Sequence, residues 1–150
     1  MYELKRVETR LVLREREGIY GTEPLSEAWK VAKLLEDNMK DLDKEELWVV
    51  NFDSRMRPVN YNVVSIGGME TAPVEIANVF KTAILSNSNR IIMAHNHPSG
   101  ETTPSDFDVE ITKRVAKAGN ILGINLLDHI IVGNGYYSFF QNMPYTLKCY

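Results

Sequence analysis

The chain has three histidines, and two of them stand two residues apart in His95-Asn96-His97-Pro98. They follow directly on Ile91-Ile92-Met93-Ala94, a run apolar at every position. Such a run suits a strand buried on both faces. In extended backbone, alternate residues share a face, so His95 and His97 point the same way. Two imidazoles converging at a strand end make a metal clamp, and Pro98 ends further pairing on that strand. Seven residues beyond Pro98 stands Ser105, and Asp108 follows three later. On a helix that spacing makes them neighbours. A step of about 100° per residue sets Asp108 beside the Val115 edge of an apolar stripe, so it should lean toward the sheet. A carboxylate leaning into a core needs a partner, and two neutral histidines holding a cation supply one.

Two histidines and one aspartate form a nitrogen and oxygen donor set that suits zinc. Catalytic zinc keeps three protein ligands and a water whose pKa falls to roughly 7. Ser105 would then be placed to donate to an oxyanion forming on a substrate. The loop itself offers no general base, because Glu101 and Asp106 have no evident inward orientation. Each fragment has an ordinary reading as well. Ser105 and Asp106 suit any helix start, and Asp108 alone would be a surface residue. The joint pattern, His-x-His-Pro, six residues, then Ser-x-x-Asp, is much harder to obtain by accident.

Several elements must position these groups. Residues 1–24 are charged, contain Gly18, Gly21 and Pro24, and read as an arm with a strand at Arg10 to Arg14. The remainder, 25–150, reads as the domain. Ser26 can cap a helix to about Lys40 with Ala28, Ala32, Leu35 and Met39 on one face. Leu47 to Phe52 and Tyr61 to Ile66 read as strands, with a turn at Arg55 to Pro58. Pro73 suits the first turn of a helix carrying Ile76, Val79, Phe80, Ala83 and Ile84. Thr103 is expected to cap the next helix, with Pro104 at its first position and Gly119-Asn120 at its end. Its stripe is Phe107, Ile111, Val115 and Ala118. Leu126 to Val132 and Tyr136 to Phe140 flank Gly133-Asn134-Gly135, a hairpin signal. Within the first of these, Asp128 and His129 are adjacent, so alternation lets only one face the core, in a structural or ligand-orienting role. Trp48, Tyr136-Tyr137 and Phe139-Phe140 read as core or hairpin packing. Helices alternating with strands, plus one hairpin, give an α/β domain with a mixed sheet.

Composition narrows the function classes. The chain has 150 residues, 44% of them hydrophobic and 25% charged, as in ordinary globular domains. A single cysteine, Cys149, excludes an internal disulfide and a cysteine-based zinc finger. It also excludes the Pro-Cys-x-x-Cys ligand set of zinc deaminases, whose His-x-Glu is here His95-Asn96. The net charge of -3 disfavours affinity built on phosphate neutralisation, and so disfavours a nucleic-acid partner. The N-terminus lacks an apolar signal region, and the apolar runs are too short for a membrane span. A cytoplasmic location is expected.

The stretch AHNHPSGETTPSDFDVEIT, followed by LLDHIIVG, resembles the RadC family of bacterial JAB-domain proteins, within the JAMM (MPN+) metallopeptidases. The resemblance covers about Glu45 to Phe140. It implies an α-β-α sandwich of the JAB/MPN type, similar to cytidine deaminases, around a mixed sheet. It implies zinc held by His95, His97 and Asp108, with Ser105 assisting the oxyanion. An upstream glutamate at the start of the first core strand would act as general acid and base. Glu45 matches that position, with Glu46 as the alternative, because a one-residue slip swaps their faces. The implied function is zinc-dependent hydrolysis of a peptide or isopeptide bond through a zinc-bound water, with a peptide or protein as substrate. RadC proteins usually carry a helix-hairpin-helix region before this domain, and the 44 residues preceding Glu45 show no such pattern, so a DNA-repair association transfers poorly. The insertions by which eukaryotic JAMM deubiquitinases grip ubiquitin have no room here. A non-catalytic or DNA-associated accessory module is the alternative function, and a homodimer stays open.

Overall fold

The computed structural model describes residues 4–12, 28–70 and 73–148. The β-branched and aromatic runs form five strands. These are β1 (Glu46–Phe52), β2 (Pro58–Ile66), β3 (Arg90–Asn96), β4 (Asn125–Gly133) and β5 (Gly135–Ser138). They lie in the order β2-β1-β3-β4-β5. β1 pairs antiparallel with β2 and β3, β3 runs parallel to β4, and β4 pairs antiparallel with β5. The mixed sheet follows from chain connectivity: short turns join β1 to β2 and β4 to β5, and a helix carries the chain between the parallel β3 and β4.

Strand alternation divides the core between the two faces. Leu47, Val49, Ile91 and Met93 pack with Val79, Phe80 and Ala83 of α2 (Ile76–Leu85) and Ile111 and Val115 of α3 (Asp106–Leu122). Trp48, Val50, Phe52, Ile92, Ala94, Ile130 and Val132 pack with Val31, Ala32, Leu35 and Met39 of α1 (Ala28–Met39). One helix on one face and two on the other make the expected α-β-α sandwich. Among the described residues, no helix is long and apolar enough to cross a membrane.

Several boundaries differ from the sequence expectations. α2 begins at Ile76 behind Glu75, so Pro73 lies before the helix rather than in its first turn. α3 is capped by Ser105, not Thr103. Ser105 Oγ accepts from the Asp108 amide, and the Asp108 carboxylate accepts from the Ser105 amide. This reciprocal box satisfies two otherwise unpaired donors. α3 then runs through Gly119 to Leu122 and ends at Gly123, whose φ of 71° is left-handed. Gly119 is a contact residue instead: a Cβ there would stand 2.2 Å from the Ile124 carbonyl oxygen. β5 stops at Ser138, and Phe139–Asn142 form the short helix α4. Ser26 and Leu13-Arg14, the end of the strand expected at Arg10 to Arg14, lie outside the described residues, and residues 10–12 carry no strand.

Candidate metal centre

The C-terminal end of β3 delivers His95, fully buried, and the chain continues into His97, which is partly exposed. The loop after it lies against the β4–β5 hairpin. The His97 amide donates to the Val132 carbonyl, the Gly100 amide to the His97 carbonyl, and the Asn134 amide to the Gly100 carbonyl. Gly100 has φ +86°, and its carbonyl comes so close to Gly133 that a Cβ on Gly133 would meet it at 2.4 Å. Both positions require glycine. The N-terminal turn of α3 supplies Asp108 from the other side.

The three side chains meet. His95 Nε2 is 2.9 Å from His97 Nε2 and 3.2 Å from Asp108 Oδ1, and His97 Nε2 is 3.5 Å from Asp108 Oδ2. Zinc bonds to nitrogen and oxygen of about 2.0–2.2 Å give a tetrahedron with edges of roughly 3.3–3.6 Å. The observed separations fall at or a few tenths of an ångström below that range, and the donors are of the right type. These residues fit a zinc ion. Glu45 stands beside them: one carboxylate oxygen and the two ring nitrogens lie within 4.8 Å of one another.

The charges are mutually adjusted. His97 Nδ1 lies 2.7 Å from the Glu101 carbonyl oxygen, which only accepts, so Nδ1 carries a proton. The Nε2 of neutral His97 is then a lone pair facing His95 and Asp108. The hydrogen bond to Asp108 raises the His97 pKa above its ordinary value, against the opposing effect of burial. For Asp108, burial alone would push the carboxyl up; the hydrogen bonds it accepts from His95 and His97 when their Nε2 atoms carry a proton outweigh it and hold the group far below the usual carboxylate range. Glu45 is pushed up by burial, which outweighs the attraction of the two histidines.

Of the two adjacent glutamates, Glu45 faces the histidines. Glu46 turns to the other face, where its carboxylate accepts from Trp48 Nε1 at 2.7 Å. Glu101 and Asp106 are exposed. Ser105 is the N-cap, and its Oγ accepts within the capping box, which leaves its hydroxyl proton uncommitted there. The expectation that only one of Asp128 and His129 is buried fails, because both are. Asp128 is sheltered by the chain after β5. Its Oδ1 accepts from the His129 and Phe140 amides and its Oδ2 from the Ser138 hydroxyl. Burial still raises its carboxyl above the ordinary value. His129 faces the centre, with Nε2 2.8 Å from His95 Nδ1, and its ring stacks on Phe139. Burial pushes it well below the ordinary histidine value.

Sequence reasoning gave Asn96 only a part in shaping the loop and passed over Thr112. The Asn96 side chain accepts from the Glu46 amide at 2.8 Å and donates to the Lys44 carbonyl at 2.9 Å, bracketing Glu45. No local pattern signals a contact across fifty residues. Thr112 lies 2.6 Å from His129 Nδ1. Its signal was present, as a polar residue one turn after Asp108.

Comparison with known proteins shows the family. Residues 25–144 match the family model described as RadC-like JAB domain. The chain belongs to that family. Among curated relatives, a UPF0758 protein of Chloroflexus aggregans is 42% identical over 122 residues, 81% of this chain and 53% of its own length. A UPF0758 protein of Caldanaerobacter subterraneus is 47% identical over 105 residues, 70% of this chain and 45% of its own. One of Rubrobacter xylanophilus is 40% identical over 118 residues, 79% and 52% respectively. The chain thus spans about half the length of these relatives.

Proposed function

We propose that this RadC-like JAB domain is a zinc-dependent hydrolase of amide bonds, acting on a peptide or protein. The observation that carries the reading is the convergence of His95 Nε2, His97 Nε2 and the Asp108 carboxylate within 3.5 Å, with Glu45 alongside. His95, His97 and Asp108 would hold the ion. Zinc, when bound, supplies Lewis acidity that polarises a carbonyl and makes water acidic enough to ionise near neutrality.

The protein's own groups do the rest. Glu45, its carboxyl pushed up by burial, takes a proton from the attacking water and returns it to the departing amine. A base tuned toward the working pH transfers protons in both directions more readily. Ser105 donates its uncommitted hydroxyl proton to the oxygen on which negative charge develops. Asn96 holds the Glu45 backbone in place on both sides. The test is cleavage of a peptide library by the zinc-loaded protein and by Glu45→Gln. Cleavage by the former and at least a hundred-fold loss in the latter is expected from the usual worth of a general base. Equal rates would remove Glu45 from the reaction, and no cleavage of any peptide would oppose the amide-hydrolase reading.

A further inference from the structure

Behind the metal centre runs a chain of buried polar groups that the reaction does not use. Thr112 Oγ1 is 2.6 Å from the Asp108 backbone carbonyl oxygen and 2.6 Å from His129 Nδ1. His129 Nε2 is 2.8 Å from His95 Nδ1. All four residues are buried. We infer that Thr112 and His129 are positioning residues that lock His95 in the tautomer whose Nε2 lone pair faces His97 and Asp108. The inference rests on the metal-centre reading above and deepens it.

Counting protons gives the direction of every link. A carbonyl oxygen has no proton, so the contact with Asp108 uses the single proton of Thr112. The Thr112 oxygen can then only accept from His129, whose Nδ1 must carry hydrogen. A neutral imidazole has one such hydrogen, so His129 Nε2 is a lone pair. That lone pair accepts from His95 Nδ1, and neutral His95 therefore keeps its own lone pair on Nε2. Phe139, stacked on His129 with ring centroids 5.0 Å apart and planes 8° from parallel, fixes the plane in which the chain runs. The chain also closes on itself. It starts at the backbone carbonyl of Asp108 and ends at a nitrogen 3.2 Å from the carboxylate of the same residue. The helix that brings the third ligand thus sets the tautomer of the first. Partners that fix a ligating histidine in this way commonly change metal affinity by about 10–100-fold.

The test compares Thr112→Val with Thr112→Ser. Valine matches threonine in shape but cannot accept a proton, so His129 should turn its hydrogen to Nε2 and His95 should then carry hydrogen on the metal side. Heteronuclear NMR of isotopically labelled histidines in the zinc-free protein reads both tautomers directly. Zinc affinity is read by competition with a chromophoric chelator. The natural chain and Thr112→Ser should show hydrogen on His129 Nδ1 and bind zinc equally. Thr112→Val should show the reversed pattern and bind zinc about 10–100-fold more weakly, with zinc-free unfolding close to that of Thr112→Ser. Hydrogen on His129 Nε2 in the natural chain, or equal zinc affinity in both variants, would overturn the inference. Should Thr112→Val fail to fold, the His129 tautomer in the natural chain and in Thr112→Ser decides. Absence of zinc uptake by any of the proteins would overturn the metal-centre reading instead, and the tautomers would still be read.

Discussion

Asn96→Ala tests how the site is assembled from two distant segments. The residue is 2% exposed, and its side chain makes one hydrogen bond to the Glu46 amide and one to the Lys44 carbonyl. Each such bond contributes about 0.5–1.5 kcal/mol net, and an orphaned buried partner costs about 1–3 kcal/mol. The two backbone groups left behind are only partly buried, so the lower part of that range applies to each. The variant should lose about 2–4 kcal/mol, which lowers the midpoint of thermal unfolding by on the order of 10 °C for a chain of this size. Urea unfolding of the zinc-free protein measures the loss. Asn96→Asp should be no milder, because it keeps the acceptor for Glu46 but sets a second oxygen against the Lys44 carbonyl. Zinc uptake should survive in both, since neither removes a ligand, while peptide turnover should fall as Glu45 loosens. A loss below about 0.5 kcal/mol, the bottom of the range for a single bond, would refute the bracket. Loss of zinc equal to that of a ligand variant would show that Asn96 acts on the histidines and not on Glu45.

Three further outcomes follow from the same structure. Gly119→Ala would drive a methyl group against the Ile124 carbonyl, from a Cβ position 2.2 Å away; thermal unfolding should report a loss of about 1–3 kcal/mol or more, and an unchanged midpoint would contradict the packing of α3. Ser138→Ala removes the hydroxyl that donates to Asp128 Oδ2 and accepts from the Gln141 amide; chemical unfolding should show a loss of about 2–4 kcal/mol, with zinc uptake unchanged, and loss of zinc would place Asp128 in the centre. The third concerns pH in the zinc-free chain. His97 is raised above 6.5, so its contribution to stability is complete below that value and declines as pH rises through its folded-state value. Asp108 is depressed below 3.8, so its contribution is present above that value and lost in stronger acid. The proton on His97 competes with the metal, so apparent zinc affinity should increase with pH across the region just above 6.5. Unfolding and chelator competition at several pH values check both signs; zinc affinity independent of pH there would contradict the His97–Asp108 pairing.

Most of the candidate metal centre was legible because its parts are local. A strand repeats every second residue, so His95 and His97 share a side. A helix repeats about every 3.6, so Ser105 and Asp108 meet in its first turn. The same spacing hid a second meaning, since Ser105 and Asp108 also form the capping box that sets where α3 begins. Pro104 favoured an earlier start, and two reciprocal hydrogen bonds outweighed it. Gly119 looked like a helix end because glycine usually serves there; its actual reason is a backbone approach from Ile124, which only the folded chain reveals. Asp128 and His129 looked mutually exclusive under strict alternation. The turn after β5 supplies donors that let Asp128 be buried as well. Asn96 bridges to residues fifty positions away, and Thr112 reads as a small helix residue until the strand carrying His129 is laid against it. Contacts of this kind depend on the packing of whole elements, which no window of sequence contains.

Metal content is the most direct measurement of the central claim. The natural chain and Asp108→Ala would be purified without added metal, then offered zinc and freed of excess. The arrangement of His95, His97 and Asp108 predicts one zinc held per natural chain and a large loss in Asp108→Ala, with the variant still folded. No zinc in the natural chain after loading, or equal zinc in both proteins, would contradict the metal centre.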